Sequence, residues 1–267
     1  MRVVFWNIRA GGGRRVDAIA RQLASWEPDV LGLCEFRCTP PSAALAALLA
    51  SNGLAHQCAT TIAPGGSPSR SVVNCLLLAS RWPLRRIRLR PEPRERGRWL
   101  VALVDGPTPL TVGAMHVPNR VTGRKDLFFA DVLRMLRGWR RGPTLLLGDT
   151  NSGLPDVDEE APAFGPREVA WIHALERLGW SDAFRLIHGA RRAYTWYSPN
   201  GRNGFRIDHA FVNRALRPSV HDVRYDWGAG IQGALSDHAA LLLELDGSLR
   251  ADFRGIRPGL PAGRALP

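Results

Sequence analysis

Lysine is nearly absent from this 267-residue chain: Lys125 is the only one among 36 basic residues. The positive charge is therefore almost entirely guanidinium, which stays ionised and can hold a phosphate through two parallel hydrogen bonds. Against 24 acidic residues it leaves a formal net charge of +12, which favours polyanionic partners such as nucleic acid or anionic lipid. A GC-rich coding sequence would produce the same arginine bias on an ordinary solvated surface, so the charge indicates a class of partner only.

Cysteines and long apolar runs are also scarce. Four cysteines are too few for a disulfide framework in a chain of this length, and they do not form the two close pairs of a zinc site. No run of about 18 apolar residues is present, which argues against a membrane-spanning helix. The first residues show a strand-like pattern rather than a secretory signal. We therefore expect a cytoplasmic protein, a monomer, that does not insert stably into a membrane.

Short apolar runs bounded by glycine, proline or charged residues recur along the chain and predict strands. These runs cover residues 3–8, 29–35, 72–79, 99–104, 110–116, 144–149, 207–212 and 239–245. Between them, apolar residues at helical spacing predict helices around 16–26, 45–49, 128–139 and 169–178. This mixed order favours α/β layers with a mixed sheet over a regular βαβ barrel.

The length and apolar content suit a single catalytic domain, which we place at residues 1–246. Residues 64–70, rich in glycine, proline and serine, are typical of a flexible loop. Residues 247–267, rich in glycine, proline and arginine, have too little periodic apolar content to pack securely. We expect this tail to be loosely ordered or to touch substrate.

Polar residues stand at the ends of several apolar runs, where a purely structural pattern would not require them. They are Asn7, Glu35, His116, Asp149 and Asp208. Strand ends that open into loops often display catalytic groups, because the sheet fixes them while the loops admit substrate. A single Asn or Asp there is equally typical of a turn. Glu35 is harder to explain in that way, because an unpaired carboxylate beside a buried strand is costly.

The spacing of these polar groups sharpens the hypothesis. Asp149 and Asn151 are two residues apart, so an extended backbone would point both side chains at one phosphate. Asp237 and His238 place an acid beside an imidazole just before the last strand. Together with Asp208 they offer oxygen ligands for a hard cation and an imidazole that a carboxylate could orient.

Seven short motifs appear in a fixed order between residue 3 and about residue 245. They are Trp6-Asn7-Ile8-Arg9, Cys34-Glu35, Ser80-Arg81-Trp82-Pro83, His116-Val117-Pro118-Asn119, Gly148-Asp149-Thr150-Asn151, Arg206-Ile207-Asp208-His209 and Ser236-Asp237-His238. In this order they resemble the successive motifs of the endonuclease/exonuclease/phosphatase superfamily. The resemblance implies a four-layer αββα sandwich, with two mixed β-sheets packed face to face, helices outside, and a metal site at one rim.

Within the superfamily, the motifs most resemble the exonuclease III and abasic-site endonuclease branch. That branch encloses a base-less sugar with apolar side chains whose places are taken here by Trp196, Phe205 and Ile207; they could equally be ordinary core or loop residues. Two positions depart from the branch. Arg9 stands where this branch often has a second metal-binding aspartate. His116 stands where this branch has tyrosine; a histidine there is more typical of the deoxyribonuclease, sphingomyelinase and deadenylase branches.

The resemblance also implies a cofactor and a reaction. Mg²⁺, with Mn²⁺ as an alternative, would be held mainly by Glu35, helped by Asn7 and Asp237, during in-line attack of water on phosphorus. The expected activity is that of a phosphodiesterase, foremost a nuclease acting on DNA.

The remaining groups receive roles around the phosphate. Asn151 would donate to a phosphoryl oxygen, and His116 and Asn119 would bind the same phosphate. His238, held by Asp208 and cationic, would stabilise the equatorial oxygens. Asp149 would orient or deprotonate the attacking water. As general base, Asp149 and the pair of Asp208 and His238 remain rivals.

Two other functions stay open. A phosphomonoesterase or a lipid phosphodiesterase, such as a sphingomyelinase, would use almost the same site on the same fold. A non-catalytic nucleic-acid-binding protein could keep the scaffold, although the full set of acids, amides and imidazole argues against a decayed site.

Overall fold

The computed structural model describes residues 1–37, 39–60, 74–139, 142–229 and 234–246. The predicted loop at 64–70 and the predicted tail at 247–267 lie outside the described residues.

The strands belong to two six-stranded sheets and one short hairpin. In chain order they are β1 (Arg2–Asn7), β2 (Val30–Arg37), β3 (His56–Ala59), β4 (Asn74–Ser80), β5 (Leu84–Ile87), β6 (Trp99–Val104), β7 (Leu110–His116), β8 (Thr144–Asp149), β9 (Trp180–Asp182), β10 (Trp196–Tyr197), β11 (Gly204–Phe205), β12 (Asp208–Asn213), β13 (Val220–Asp226) and β14 (Ala240–Leu245). The helices are α1 (Val16–Ser25), α2 (Pro40–Ser51), α3 (Lys125–Gly138), α4 (Pro166–Arg177) and α5 (Ala183–His188).

Both large sheets are mixed. The first has the order β13-β14-β1-β2-β4-β3, and its parallel pair is β1 with β2. The second has the order β5-β6-β7-β8-β12-β9, and its parallel pair is β7 with β8. The remaining neighbours in each sheet run antiparallel.

Three apolar cores separate four layers. The central core holds residues of both sheets, such as Phe5 and Leu243 from the first and Val112 and Leu147 from the second. A second core packs α1 and α2 on the outer face of the first sheet. A third packs α3 and α4 on the outer face of the second sheet. The predicted four-layer sandwich is therefore confirmed.

The strands and helices predicted from apolar periodicity are found, with ends shifted by a few residues. The sequence pattern missed β3, β5, β9 and β13, which are the four outermost strands of the two sheets. Three of the four, β3, β5 and β9, are only three or four residues long. All four carry polar residues, as is common where one side of a strand's backbone faces solvent, so their apolar signal is weak. The β10–β11 hairpin, two residues on each side, was also missed. Within the described segments, no helix combines the length and apolar character needed to cross a bilayer.

Candidate active site

The predicted polar residues meet at one end of the sandwich because of strand direction. Parallel β1 and β2 end beside each other near Asn7 and Glu35, and parallel β7 and β8 end opposite each other at His116 and Asp149. Antiparallel β12 begins at the same end, with Asp208 paired to Asp149. The carboxyl ends of parallel strands are where open α/β sheets bind ligands.

One glycine allows β7 and β8 to approach there. A Cβ atom at Gly148 would lie 2.5 Å from the Cγ atom of Met115, a distance that a real side chain would not tolerate. Met115 and Gly148 are partners in the ladder, and the next pair is His116 and Asp149. Glycine at this position therefore keeps the two catalytic candidates in register.

Hydrogen bonds cross from one sheet to the other at this rim. The Nδ2 atom of Asn7, at the end of β1, donates to Oδ2 of Asp149, at the end of β8, over 3.0 Å. The Nδ1 atom of His238, just before β14, lies 2.8 Å from Oδ2 of Asp208, at the start of β12. Within the first sheet, the indole of Trp6 donates to the carbonyl of His238 and so holds this segment to β1. Neither sheet alone contains the site.

His238 is a buried imidazole that is protonated on both nitrogens, and so positively charged, at neutral pH. Burial by itself lowers its pKa, but the charge and hydrogen bond of Asp208, together with the charge of Asp149, outweigh burial and raise the pKa to about 9. The proton on Nδ1 is directed at Asp208. The other nitrogen, Nε2, lies 4.0 Å from Oδ2 of Asp149 and 3.5 Å from Nδ2 of Asn7.

His116 faces the same carboxylate but stays neutral. Its Nε2 atom lies 3.7 Å from Oδ2 of Asp149. Burial lowers the pKa of His116 to about 4, and the positive charges of Arg98 and His238 act in the same direction, against the pull of Asp149. Burial also raises the pKa of Asp149, although His238, His116 and the hydrogen bond from Asn7 oppose that shift. One carboxylate thus lies between a charged and an uncharged imidazole.

Two candidate residues have strained backbones. Glu35 has φ 56° and Asn151 has φ 47°, in the left-handed region that non-glycine residues seldom adopt. Glu35 is held by a hydrogen bond from the backbone N–H of Ala10 to its Oε2 atom, 2.8 Å long. Asn151 donates its backbone N–H to Asp149 and its side-chain amide to the carbonyl of Val117. Such strain, over-determined by its surroundings, is typical of functional sites.

A cavity of about 230 Å³ opens at this rim. The predicted residues in its wall are Glu35, His116, Asn119, Asp149, Asn151, Trp196, Ile207, Asp237 and His238. Asn7 and Asp208 lie behind this wall, each almost fully buried. Phe205 is not in the wall: its ring packs 5.9 Å from that of Trp196 and 5.4 Å from that of Phe164. Arg9 lies at the rim, with Nε 4.0 Å from Oδ1 of Asp237.

The sequence pattern missed three residues of the wall: Asn74, Arg98 and Thr122. Asn74 begins β4 and Arg98 directly precedes β6, both of which start at the catalytic end of their sheets. The signal that could have found them is a polar residue at the start of an apolar run, since antiparallel strands begin where their neighbours end. Thr122 lies in a short 3-10 turn that carries no such signal.

The donor set fits a divalent cation. Asp149 and Asp208 each place a carboxylate oxygen within 4.8 Å of the other. The Oδ1 atom of Asp208 is buried, and it has no hydrogen-bond partner among the described residues, an uncompensated acceptor of the kind that an ion satisfies. Glu35 and Asp237 add carboxylates in the cavity wall, and carboxylate oxygens are the ligands that Mg²⁺ prefers.

Below the site lies a buried network of charges. Arg206 is fully buried, with Nε 2.6 Å from Oδ1 of Asp158 and Nη2 2.7 Å from Oδ2 of Asp182. The same Oδ2 atom of Asp182 lies 3.0 Å from Nδ1 of His209. Arg206 and His209 flank Asp208 in the chain, so this network anchors the start of β12.

Fold and site together define a hydrolase of phosphoric esters. The chain belongs to the Endonuclease/Exonuclease/phosphatase family, which it matches over residues 4–238. The predicted superfamily is thus confirmed.

Individual known proteins are also similar to this chain, at modest sequence identity. An exodeoxyribonuclease of Streptococcus pneumoniae is 27% identical over 157 residues, which cover 51% of this chain and 55% of the relative. The chain therefore matches only about half the length of that curated relative. Among solved structures, a 3′-5′ exonuclease from Neisseria meningitidis is 26% identical and covers 92% of this chain and 100% of its own, with a TM-score of 0.75.

Two further structures share the fold. A 3′ phosphatase from Neisseria, solved with a product DNA hairpin, is 25% identical, with a TM-score of 0.75 over 92% of this chain and 99% of its own. An AP endonuclease from Archaeoglobus fulgidus is 19% identical, with a TM-score of 0.77 over 92% of this chain and 99% of its own. These neighbours agree with the predicted exonuclease III and abasic-site endonuclease branch.

Proposed function

We propose that this protein is a Mg²⁺-dependent phosphodiesterase that cleaves DNA. The observation that carries the proposal is the convergence of Asn7, Asp149, Asp208 and His238 from two sheets at the rim where the cavity opens. The names of its relatives support DNA as the substrate: one is an exodeoxyribonuclease, and another was solved with a DNA hairpin. The net charge of +12 suits a polyanion.

Glu35, Asn7 and Asp237 would hold the ion. When bound, it supplies positive charge that offsets the negative charge developing on the phosphoryl and leaving oxygens. Glu35 and Asp237 lie in the cavity wall and would supply carboxylate oxygens, and Asn7, buried behind that wall, would assist them.

Asp149 is the better candidate to orient and deprotonate the attacking water. His238 is already protonated at neutral pH, because Asp208 holds the proton on Nδ1, so it is a poor acceptor for another. Its Nε2–H instead suits a phosphoryl oxygen, which it stabilises as a fixed cationic donor. Asp149 is held in place by Asn7 and by the backbone N–H of Asn151.

Neutral and permanently charged donors complete the phosphate site. His116 and Asn119 line the cavity and can donate without a change in net charge. Arg98 adds a guanidinium cation to the cavity wall, half-buried and held by its hydrogen bond to the carbonyl of His116. Trp196 and Ile207 form the apolar part of the wall and would contact the sugar, with Phe205 supporting Trp196 from behind.

The test compares substrates and one matched pair of variants. Purified protein with Mg²⁺ is incubated with plain duplex DNA, duplex with an abasic site, single-stranded RNA, sphingomyelin and an inositol phosphate. We expect DNA cleavage, reduced by roughly two to four orders of magnitude in His238→Gln. His173→Gln, which alters an exposed histidine on α4, should behave as wild type. Turnover of the lipid or the inositol phosphate without DNA products would overturn the proposal.

A 3′-phosphomonoesterase activity is the second candidate. It is favoured by the likeness to the Neisseria 3′ phosphatase. DNA ending in a 3′-phosphate separates the two reactions, because a phosphatase releases inorganic phosphate whereas a phosphodiesterase releases nucleotides. Salt-dependent DNA binding with no product of either kind would instead favour a non-catalytic binding protein.

A further inference from the structure

Lys125, the only lysine of the chain, is buried beside the catalytic cavity. It is the first residue of α3 and is 6% exposed. Its Nζ atom donates to the backbone carbonyl of Asn151 over 2.6 Å and to Oε1 of Glu168 over 2.9 Å. An ammonium group is costly to bury unless it is paired, and here Glu168 pairs with it.

Glu168 joins three segments around this ammonium. Its Oε1 atom also accepts from Nη2 of Arg120 over 2.8 Å, and its Oε2 atom accepts from the backbone N–H of Gly165 at the start of α4. Arg120 begins the 3-10 turn that ends at Thr122, and both Thr122 and the preceding residue Asn119 line the cavity. The cluster of Lys125, Glu168 and Arg120 thus connects α3, α4 and the wall of the site.

Asn151 needs such support. Its φ of 47° is unfavourable for a residue with a Cβ atom. Its backbone N–H is bonded to Asp149 and its side-chain amide to Val117. The contact with Lys125 holds its backbone carbonyl, which sets the plane of the following peptide and, through it, the direction of the side chain.

We infer that Lys125 is a positioning residue, which, held by Glu168, keeps Asn151 in its strained conformation so that the amide faces the phosphate. The inference rests on the proposed function, since it assigns Asn151 to the phosphate. Lysine suits this position because its ammonium is a compact donor that can bond both the carbonyl of Asn151 and the carboxylate of Glu168 within a small space. A guanidinium is wider and planar. That explains why lysine occurs here in a chain that otherwise uses arginine.

The experiment couples Lys125 to Asn151. The variants are Lys125→Met, Lys125→Arg, Asn151→Ala and the double variant Lys125→Met with Asn151→Ala. Arg167→Met is the matched control, because Arg167 is exposed on the same surface and pairs only with Asp126 among the described residues. Rates and substrate dependence are measured for each on a single DNA substrate.

We expect Lys125→Met to lower kcat roughly tenfold to a hundredfold, the effect of misplacing a reacting group by about 1 Å, with KM changed less than about threefold. In the Asn151→Ala background the same change should have almost no further effect, because both changes remove the same interaction. Lys125→Arg should not restore the rate. The inference would be overturned if Lys125→Met lowered kcat by the same factor in the wild-type and Asn151→Ala backgrounds, or if it left kcat unchanged in the wild-type background.

A second measurement does not depend on catalysis. Hydrogen–deuterium exchange of residues 149–153 should be faster in Lys125→Met than in wild type and unchanged in Arg167→Met. Glu168→Gln, which keeps the shape of the cluster, serves the same purpose if Lys125→Met does not fold. If wild type cleaves no DNA, the proposed function fails while exchange still tests the positioning role; unchanged exchange overturns that role alone.

Discussion

Replacing Arg206 with methionine should destabilise the protein more at neutral pH than at acid pH. Arg206 is fully buried between the carboxylates of Asp158 and Asp182. Methionine fills a similar volume but leaves two buried negative charges with less compensation. Asp158 keeps its ion pair with Arg185, and Asp182 keeps His209.

The magnitude follows from the cost of breaking a buried ion pair, which is about 3–5 kcal/mol when one partner is removed. Because both carboxylates retain one partner, we expect the low end, about 3 kcal/mol at pH 7.5. For a domain of this size, that corresponds to a fall in Tm of roughly 6–12 °C.

The pH dependence gives the test its sign. Burial alone raises the pKa of Asp158 and Asp182, but in the wild type Arg206, together with His209 and, for Asp158, Arg185, outweighs burial and lowers both. Their contribution to stability is therefore complete above the pKa of an unfolded aspartate, about 3.9, and is lost only as the pH falls below it. In Arg206→Met, burial dominates and raises the pKa of these carboxyl groups above that of an unfolded aspartate. They then take up protons at a higher pH in the folded state than in the unfolded state, so the free energy of unfolding should rise as the pH falls from 7.5 to 5.

Urea unfolding followed by tryptophan fluorescence at pH 7.5 and at pH 5 measures both effects. Arg21→Met is the control: Arg21 is exposed on α1, and its loss should change the free energy of unfolding by less than about 0.5 kcal/mol. The reasoning is refuted if Arg206→Met costs less than about 1 kcal/mol at pH 7.5, or if its cost is the same at both pH values.

Three further predictions concern the pH dependence of activity, its Mg²⁺ dependence and the binding of DNA. Asp208→Asn removes the charge that holds the pKa of His238 at about 9, so the alkaline limb of kcat/KM against pH should move toward 6.5, the ordinary histidine value; an unmoved limb would contradict the pairing. Glu35→Gln should raise the Mg²⁺ concentration that gives half-maximal rate by roughly tenfold or more, in line with losing a metal-orienting group. An unchanged Mg²⁺ dependence would show that Glu35 does not hold the ion. Raising NaCl from 50 to 200 mM should weaken DNA binding by roughly tenfold or more, and salt-independent binding would show that the arginine surface is not used.

Much of the fold was predictable because buried strands and amphipathic helices leave periodic apolar signals. The runs that became β1, β2, β7, β8 and β14 are nearly continuous apolar stretches, since both faces of these strands are covered. Edge strands such as β13, where buried and exposed residues alternate irregularly, could not be distinguished from loops. Their structure depends on the neighbour they pair with.

The site was predictable where a polar residue interrupts an apolar pattern, as at Asn7 and Asp149. Its convergence came from the resemblance in motif order, because no local pattern brings His238 to Asp208 across 30 residues. A cationic His238 held by Asp208 was expected from the sequence, but the contrast with a neutral His116 was not predictable. It depends on burial, and on which carboxylate each ring meets, both of which exist only in three dimensions.

The hydrogen bonds that join Asn7 to Asp149 and His238 to Asp208 span two layers whose central core is apolar. Apolar packing has no preferred direction and allows one layer to slide over the other by a fraction of an ångström, whereas a hydrogen bond weakens steeply with such a displacement. Sliding of one layer over the other would therefore break these hydrogen bonds and abolish activity, while the hydrogen bonds within each sheet stayed intact.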